Sequence, residues 1–140
     1  MNIIKDIEVF FDKRRGDWEE FDGYKISTTD GVIEIAVDSY TQCCENWGYI
    51  SSNDHYNLND FCGAEILAIK YTQKIDEVLE TVAMQLSKEG VTLDNVYFIT
   101  FETSKGTLQF AVYNEHNGYY GHDCYVSCDF IKEMNFKKTI

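Results

Sequence analysis

Apolar positions in the first thirteen residues fall at Ile3, Ile4, Ile7, Phe10 and Phe11, a spacing that lines one face of a helix. Residues 2–13 are therefore expected to form an amphipathic helix, ended by the basic run Lys13-Arg14-Arg15 and by Gly16 just beyond it. Trp18 and Phe21 are expected to pack near this junction. From Tyr24 the helical period gives way to alternation. YKISTTDGVIEIAV reads as two strands about a turn at Thr29-Asp30-Gly31, since Asp-Gly supplies the positive φ that a tight hairpin turn needs. Ile33, Ile35 and Val37 alternate with Val32, Glu34 and Ala36, which makes the first set the expected core face.

A stretch rich in Ser, Asn and Asp at 51–60 reads as a loop, and AEILAIKY (64–71) as a third strand with Ile66 and Leu67 on opposite faces. KIDEVLETVAMQLSKEG sets Ile75, Val78, Leu79, Val82 and Leu86 on one stripe and closes on Gly90, predicting a helix over 74–89. VYFITFETSKGTLQFAVYN predicts a long hairpin turning at Ser104-Lys105-Gly106, and CYVSCDFIKEM a last strand. No repeat or linker divides the chain. The pattern predicts one α+β domain over 1–140, with an N-terminal helix in 1–16 and a sheet core in 24–130. About five or six antiparallel strands carry two helices, the second at 74–89.

Composition agrees with one packed domain: 140 residues, 44% apolar and 15% aromatic, are enough for a single core. MNIIKDIEVFFDKRR interrupts its apolar residues with Lys5, Asp6 and Glu8, so no export signal is read, and no apolar run approaches a membrane span. The expectation is a soluble cytoplasmic protein without membrane partners. Five cysteines, with Cys43 and Cys44 adjacent, suit reduced thiols better than a disulfide framework.

Charge changes the picture more. Residues 17–62 hold one basic and ten acidic residues, −9 of the net −12. Such a field opposes direct binding to nucleic-acid phosphates and favours cationic partners, among them proteins that bind nucleic acid.

Two clusters carry candidate chemistry. CCENWGYIS (43–51) offers Cys43, Cys44, Glu45, Trp47 and Tyr49; YNEHNGYYGHDCYV (113–126) offers Asn114, His116, Tyr119, Tyr120, His122 and Asp123. Asn114, Asn117, Gly118 and Gly121 are turn chemistry between two strands, but a plain turn needs neither the histidines nor the tyrosines. Zinc accepts Cys, His and carboxylate ligands, yet adjacent cysteines in a strand point to opposite faces and the spacing of His116 and His122 matches no structural zinc pattern. No metal site and no cofactor are predicted. A thiol enzyme would use Cys43 or Cys44 with His116 or His122 and an orienting Asn114 or Asp123. No phosphate loop, nucleophile elbow or other assembled signature accompanies them, so the reading is non-enzymatic. The aromatics Trp47, Tyr49, Tyr119, Tyr120 and Tyr125 suit an interface patch or, equally, packing across a sheet.

The succession GVIEIAVDS, CCENWGYISS, DFCGAEILAIKY and FETSKGTLQFAVYNEHNGYYGHDCYV resembles an uncharacterised family of small proteins from Gram-positive bacteria and their phages, over about 24–126 and leaving out the helix at 74–89. The resemblance implies a phage or mobile-element setting and brings no activity. In that setting, small acidic proteins resemble inhibitors of host defence that occupy the basic groove of a nucleic-acid-binding effector of CRISPR type. The expected function is binding of a basic host protein, with Asp17, Glu19, Glu20 and Asp22 steering and Trp47, Tyr49, Tyr119 and Tyr120 anchoring. The alternative is a small-ligand or metal site where the two clusters meet, built from Cys43, Glu45, Asn114, His116, Tyr120 and His122. A third reading makes both clusters structural, with His116 or His122 hydrogen-bonded to the backbone to pin a tight loop.

Overall fold

The computed structural model describes residues 1–16, 19–39, 46–53, 57–73, 75–91, 95–115 and 121–140. Among them, nine strands form two antiparallel sheets. The first sheet joins β1 (Ile4–Arg14), β2 (Glu20–Thr28), β3 (Gly31–Asp38), β8 (Asp123–Cys128) and β9 (Phe136–Thr139) in that order. The second runs β4 (Asn46–Ser51), β7 (Gly106–Glu115), β6 (Val96–Thr103), β5 (Ile66–Thr72). One α-helix, α1 (Glu80–Lys88), lies on the second sheet. Among the described residues the fold is a β-sandwich with one α-helix, which corrects the expectation of an α+β sheet carrying two helices.

The missing helix is the N-terminal one, and β-bulges explain why it looked helical. A register shift between Ile4 and Asp6 puts an extra residue into β1, so Ile4 and Ile7, three apart, both face the core. A second shift between Phe10 and Lys13 contains Asp12, whose φ is +52°. Two inserted residues turn strand alternation into a spacing that mimics a helix. The surviving strand signal was compositional, the β-branched and aromatic run IIKDIEVFF.

The other helix is shorter than its apolar stripe. Residues Ile75–Glu77 form a 3₁₀ turn and α1 starts only at Glu80. Fully buried Gln109 intervenes: its side-chain oxygen accepts from the Leu79 N–H at 2.9 Å and its Nε2 donates to the Glu77 carbonyl at 3.0 Å. The main chain before Glu80 is thereby tied to β7 instead of continuing the helix. The hairpins at Asp30-Gly31 and Ser104–Gly106 form as expected. CYVSCDFIKEM divides: β8 ends at Cys128, a 3₁₀ turn spans Lys132–Met134, and β9 returns along β8.

The core lies between the sheets. Tyr24 and Ile26, Ile33, Ile35 and Val37, Cys124 and Val126 meet Ile99 and Phe101, Leu108, Phe110 and Val112, all buried. Tyr24 is edge-on to Tyr49 at 5.5 Å and tilted against Phe110 at 4.7 Å. β5 touches opposite edges of the first sheet: Glu65, just before it, bridges Ile3, while Tyr71 packs on Phe136 of β9 at 4.6 Å. The sheets therefore cross, as in orthogonal sandwiches. Behind the second sheet, Val82 and Leu86 of α1 cover Val96, Phe98, Ala111 and Tyr113. Behind the first, Phe21, Ala36 and Tyr125 form a small outer cluster, with the Arg15 guanidinium 4.0 Å from the Tyr125 ring centroid.

Gly23, in the centre of β2, pairs with Phe10 on one side and Ala36 on the other. A Cβ there would lie 2.0 Å from the Ile35 carbonyl oxygen and 2.7 Å from the Ala36 Cα, backbone atoms that cannot swing aside. Gly23→Ala is expected to cost about 3 kcal/mol, at the upper end of overpacking effects. Thermal unfolding by circular dichroism checks this, and an unchanged Tm would show that β2 and β3 can separate there without loss.

Candidate functional site

The described parts of the two clusters singled out in the sequence lie on β4, on the end of β7 and on β8. β4 carries the second half of CCENWGYIS, and β4 pairs with β7 so that Trp47 lies opposite Asn114 and Asn46 opposite Glu115. Cys43, Cys44 and Glu45 before Asn46, and His116, Tyr119 and Tyr120 after Glu115, lie outside the described residues, as do Asp17 and His55. The described residues flanking the two motifs are thus register partners.

The described members of the alternative ligand set are engaged with main chain. The Trp47 and His122 rings stack with centroids 5.5 Å apart. His122 Nδ1 is 2.7 Å from the Asp38 carbonyl oxygen, which fixes Nδ1 as the protonated nitrogen when the ring is neutral. The His122 and Ile140 main chains exchange both hydrogen bonds, at 2.9 and 2.8 Å. Asn114 Nδ2 also donates to the Ile140 carbonyl, at 2.8 Å. His122 and Asn114 are buried and act here as a clamp on the chain at Ile140.

The residues assigned to partner binding divide into two groups. Trp47 and Tyr49 are half-buried and pack on the core from the rim. Asp22 lies beside Tyr49: its Oδ1 accepts from the Asp12 N–H at 2.9 Å, and burial together with the Asp22 and Asp12 carboxylates pushes the Tyr49 hydroxyl up to about 12. Glu20 pairs with Arg14 at 3.6 Å and Glu19 with Lys137. Glu34, also within the acidic segment, pairs with Lys13. The acids at 19, 20 and 34 are therefore matched within the chain, whereas Asp12 and Asp22 gather at the aromatic rim. Asp12 was not picked out from the sequence. Its signal was a lone acid ahead of three basic residues, and its nearness to Asp22 requires β1 to be a strand.

The thiols of Cys62 and Cys124 are shifted away from reactivity. Cys124 is buried and its thiol is pushed up to about 12, chiefly by burial and further by Asp123; Cys62 is likewise raised by burial and by Asp6. A nucleophilic cysteine needs the opposite shift. Among the described residues no group of three or more His, Cys, Asp or Glu side chains gathers to hold a metal ion, and no helix is long and apolar enough to cross a membrane.

A family model described as a domain of unknown function, DUF7448, matches residues 2–126. The chain belongs to that family. The match begins at β1, ahead of the span that the sequence motifs suggested, runs through α1, and stops within β8, so residues 127–140 with β9 lie beyond it. Neither the curated proteins nor the solved structures contain a match to this chain.

Two predictions follow from the clamp. His122→Ala removes a buried ring stacked on Trp47 and bonded to Asp38, and should cost about 2–4 kcal/mol, read by urea unfolding; a loss below about 0.5 kcal/mol, the range of plain surface changes, would show that the clamp is not structural. Beside it, burial pushes the Asp123 carboxyl up, but the Thr139 hydroxyl, Glu19 and Lys137 outweigh burial and hold it below the ordinary aspartate range. A depressed carboxyl adds stability that is complete above its unfolded value and is lost as pH falls through its folded value. Acid should therefore loosen β9 before the rest of the first sheet. Amide exchange of Lys137–Thr139, rising relative to β3 on acidification in the parent and not in Asp123→Asn, is the expected outcome.

Proposed function

We propose that this protein is a non-enzymatic binding module for a cationic macromolecule, and that it engages that partner at the rim formed by Asp12, Asp22, Trp47 and Tyr49. The observation that carries the reading is convergence: carboxylates from β1 and β2 share one edge of the sandwich with the half-buried aromatics of β4. Tyr and Trp supply rigid contact area with a polar tip, and unneutralised carboxylates beside them suit Lys and Arg. The net charge of −12 adds long-range steering toward a basic partner. The raised thiols of Cys62 and Cys124 support a role without nucleophilic chemistry. Cys43, Glu45, His116, Tyr119 and Tyr120 flank the rim residues in sequence.

The resemblance to phage and Gram-positive proteins suggests the partner's class, a nucleic-acid-binding host defence protein whose basic groove accepts carboxylates in place of phosphates. A second reading, a small-ligand or metal site on Cys43, Glu45, Asn114, His116, Tyr120 and His122, is favoured by one observation, the pairing of Asn46 with Glu115 at the described ends of the two motifs.

Neutralisation at the rim distinguishes them. Asn can adopt the left-handed conformation of Asp12 and can accept the same hydrogen bond as Asp22, so Asp12→Asn with Asp22→Asn should keep the fold while removing both charges. Affinity for a basic protein isolated on the immobilised parent is expected to fall by about tenfold in the double variant and to lose part of its salt dependence. Equal affinity and equal salt dependence would rule out the rim. Native mass spectrometry showing a stoichiometric metal or small molecule that is lost on His116→Ala would favour the second reading.

A further inference from the structure

β9 is the shortest strand of the first sheet and carries a basic, alternating pattern, Phe136-Lys137-Lys138-Thr139, followed by Ile140. On its inner side Phe136 and Lys138 share the Tyr71 ring, with the Lys138 ammonium also 5.5 Å from the Phe136 centroid, and Ile140 enters the core. Phe136 packs on Tyr71 at 4.6 Å. The Lys138 ammonium lies 5.0 Å from the centroid of Tyr71 and 5.7 Å from that of Tyr97, two rings that stack on each other at 5.3 Å. Ile140 is buried in the main core, and its carbonyl oxygen is held by Asn114 and by the His122 N–H. On the outer side Lys137 pairs with Glu19 and Asp123, and the Thr139 hydroxyl donates to Asp123 at 2.6 Å. The strand pairs with β8 from Asp123–Thr139 to Val126–Phe136.

This is the layout of peptide recognition by strand addition, in which main-chain hydrogen bonds give affinity and pockets for alternate side chains give specificity. The receptor side, Tyr71, Tyr97, Asn114, His122, Asp123 and Glu19, lies wholly within residues 2–126, the span matched by the family model, and the occupant lies outside it. We infer that the edge of β8 is a peptide-binding groove for an extended basic segment of the form aromatic-Lys-Lys-x-aliphatic from a partner protein, and that Phe136–Ile140 is its built-in occupant. One lysine of the segment goes to the Glu19 and Asp123 carboxylates and the next to the Tyr71–Tyr97 platform, a cation–π seat. The aliphatic residue fills the core position now taken by Ile140. The groove is distinct from the Asp12–Tyr49 rim, and this inference rests on the β8–β9 geometry alone.

A labelled peptide NFKKTI, the sequence of residues 135–140, is the probe. It is titrated by fluorescence anisotropy against the full chain and against the full chain with Phe136→Ala and Lys138→Ala, which weaken the occupant and leave the groove intact. The variant is expected to bind the probe at least tenfold more tightly than the parent, and a control peptide with both lysines changed to glutamate should not bind. Should the variant not fold, the parent answers the question through native-state hydrogen exchange. Exchange of the Lys137–Thr139 amides through a local opening, well below the protection of β3, would support the inference. Exchange of those amides only with global unfolding, or a folded variant that does not bind the probe, would overturn it. A folded variant or parent that forms a β9-exchanged dimer without binding the probe would also overturn it, by assigning the groove to a second copy of this chain.

Discussion

Tyr24 is enclosed where the two sheets cross, with no exposure, edge-on to Tyr49 and tilted against Phe110. Burial lifts its hydroxyl far above the ordinary tyrosine range. Each sheet has one face that must be removed from water, and the aromatic layer around Tyr24 is how both are removed at once. The position of the rim follows from it. Tyr49 reaches Tyr24 from β4, so β4 is held against β2, near the carboxylates of Asp12 and Asp22.

Parts of this arrangement are legible in the residues and parts are not, for reasons that can be named. Ile33, Ile35 and Val37 on β3, and Leu108, Phe110 and Val112 on β7, keep unbroken alternation, and those strands form as the pattern indicates. β1 loses the alternation to its two bulges. β4 is short, with Gly48 between Trp47 and Tyr49, and there Tyr113 takes the space a side chain would fill: a Cβ on Gly48 would lie 2.6 Å from the Tyr113 hydroxyl oxygen. Such a strand reads as a motif because its missing side chain is supplied from the neighbouring strand. β9 has one large apolar residue in four, and its stability comes from β8, from Glu19 and from the Ile140 clamp, none of which is local.

Much the same division holds at the site. That Asn46 lies opposite Glu115 and Trp47 opposite Asn114 follows from the register of β4 on β7, which no spacing in the chain encodes. The acidity of 17–62 is plain in composition, but its use is not. Lys13, Arg14 and Lys137, all outside that segment, take up Glu34, Glu20 and Glu19. The outer cluster of Phe21, Ala36 and Tyr125, roofed by Arg15, shows long basic side chains covering apolar surface as well as balancing charge.

The pairing of β3 with β8 joins Ile33 to Cys128 and Val37 to Cys124, across the whole of the second sheet in sequence. The first sheet is therefore interrupted by the second, whereas β4 to β7 occupy one continuous stretch of chain. Loop closure over such a span is slow relative to hairpin formation. During synthesis the β1–β2–β3 meander emerges first and must keep its apolar face without a partner until β6 and β7 arrive, and its β3 edge open until β8 leaves the ribosome. The sheet begun first is thus completed only after every strand of the second has been made, and β3 stays vulnerable to mispairing until then.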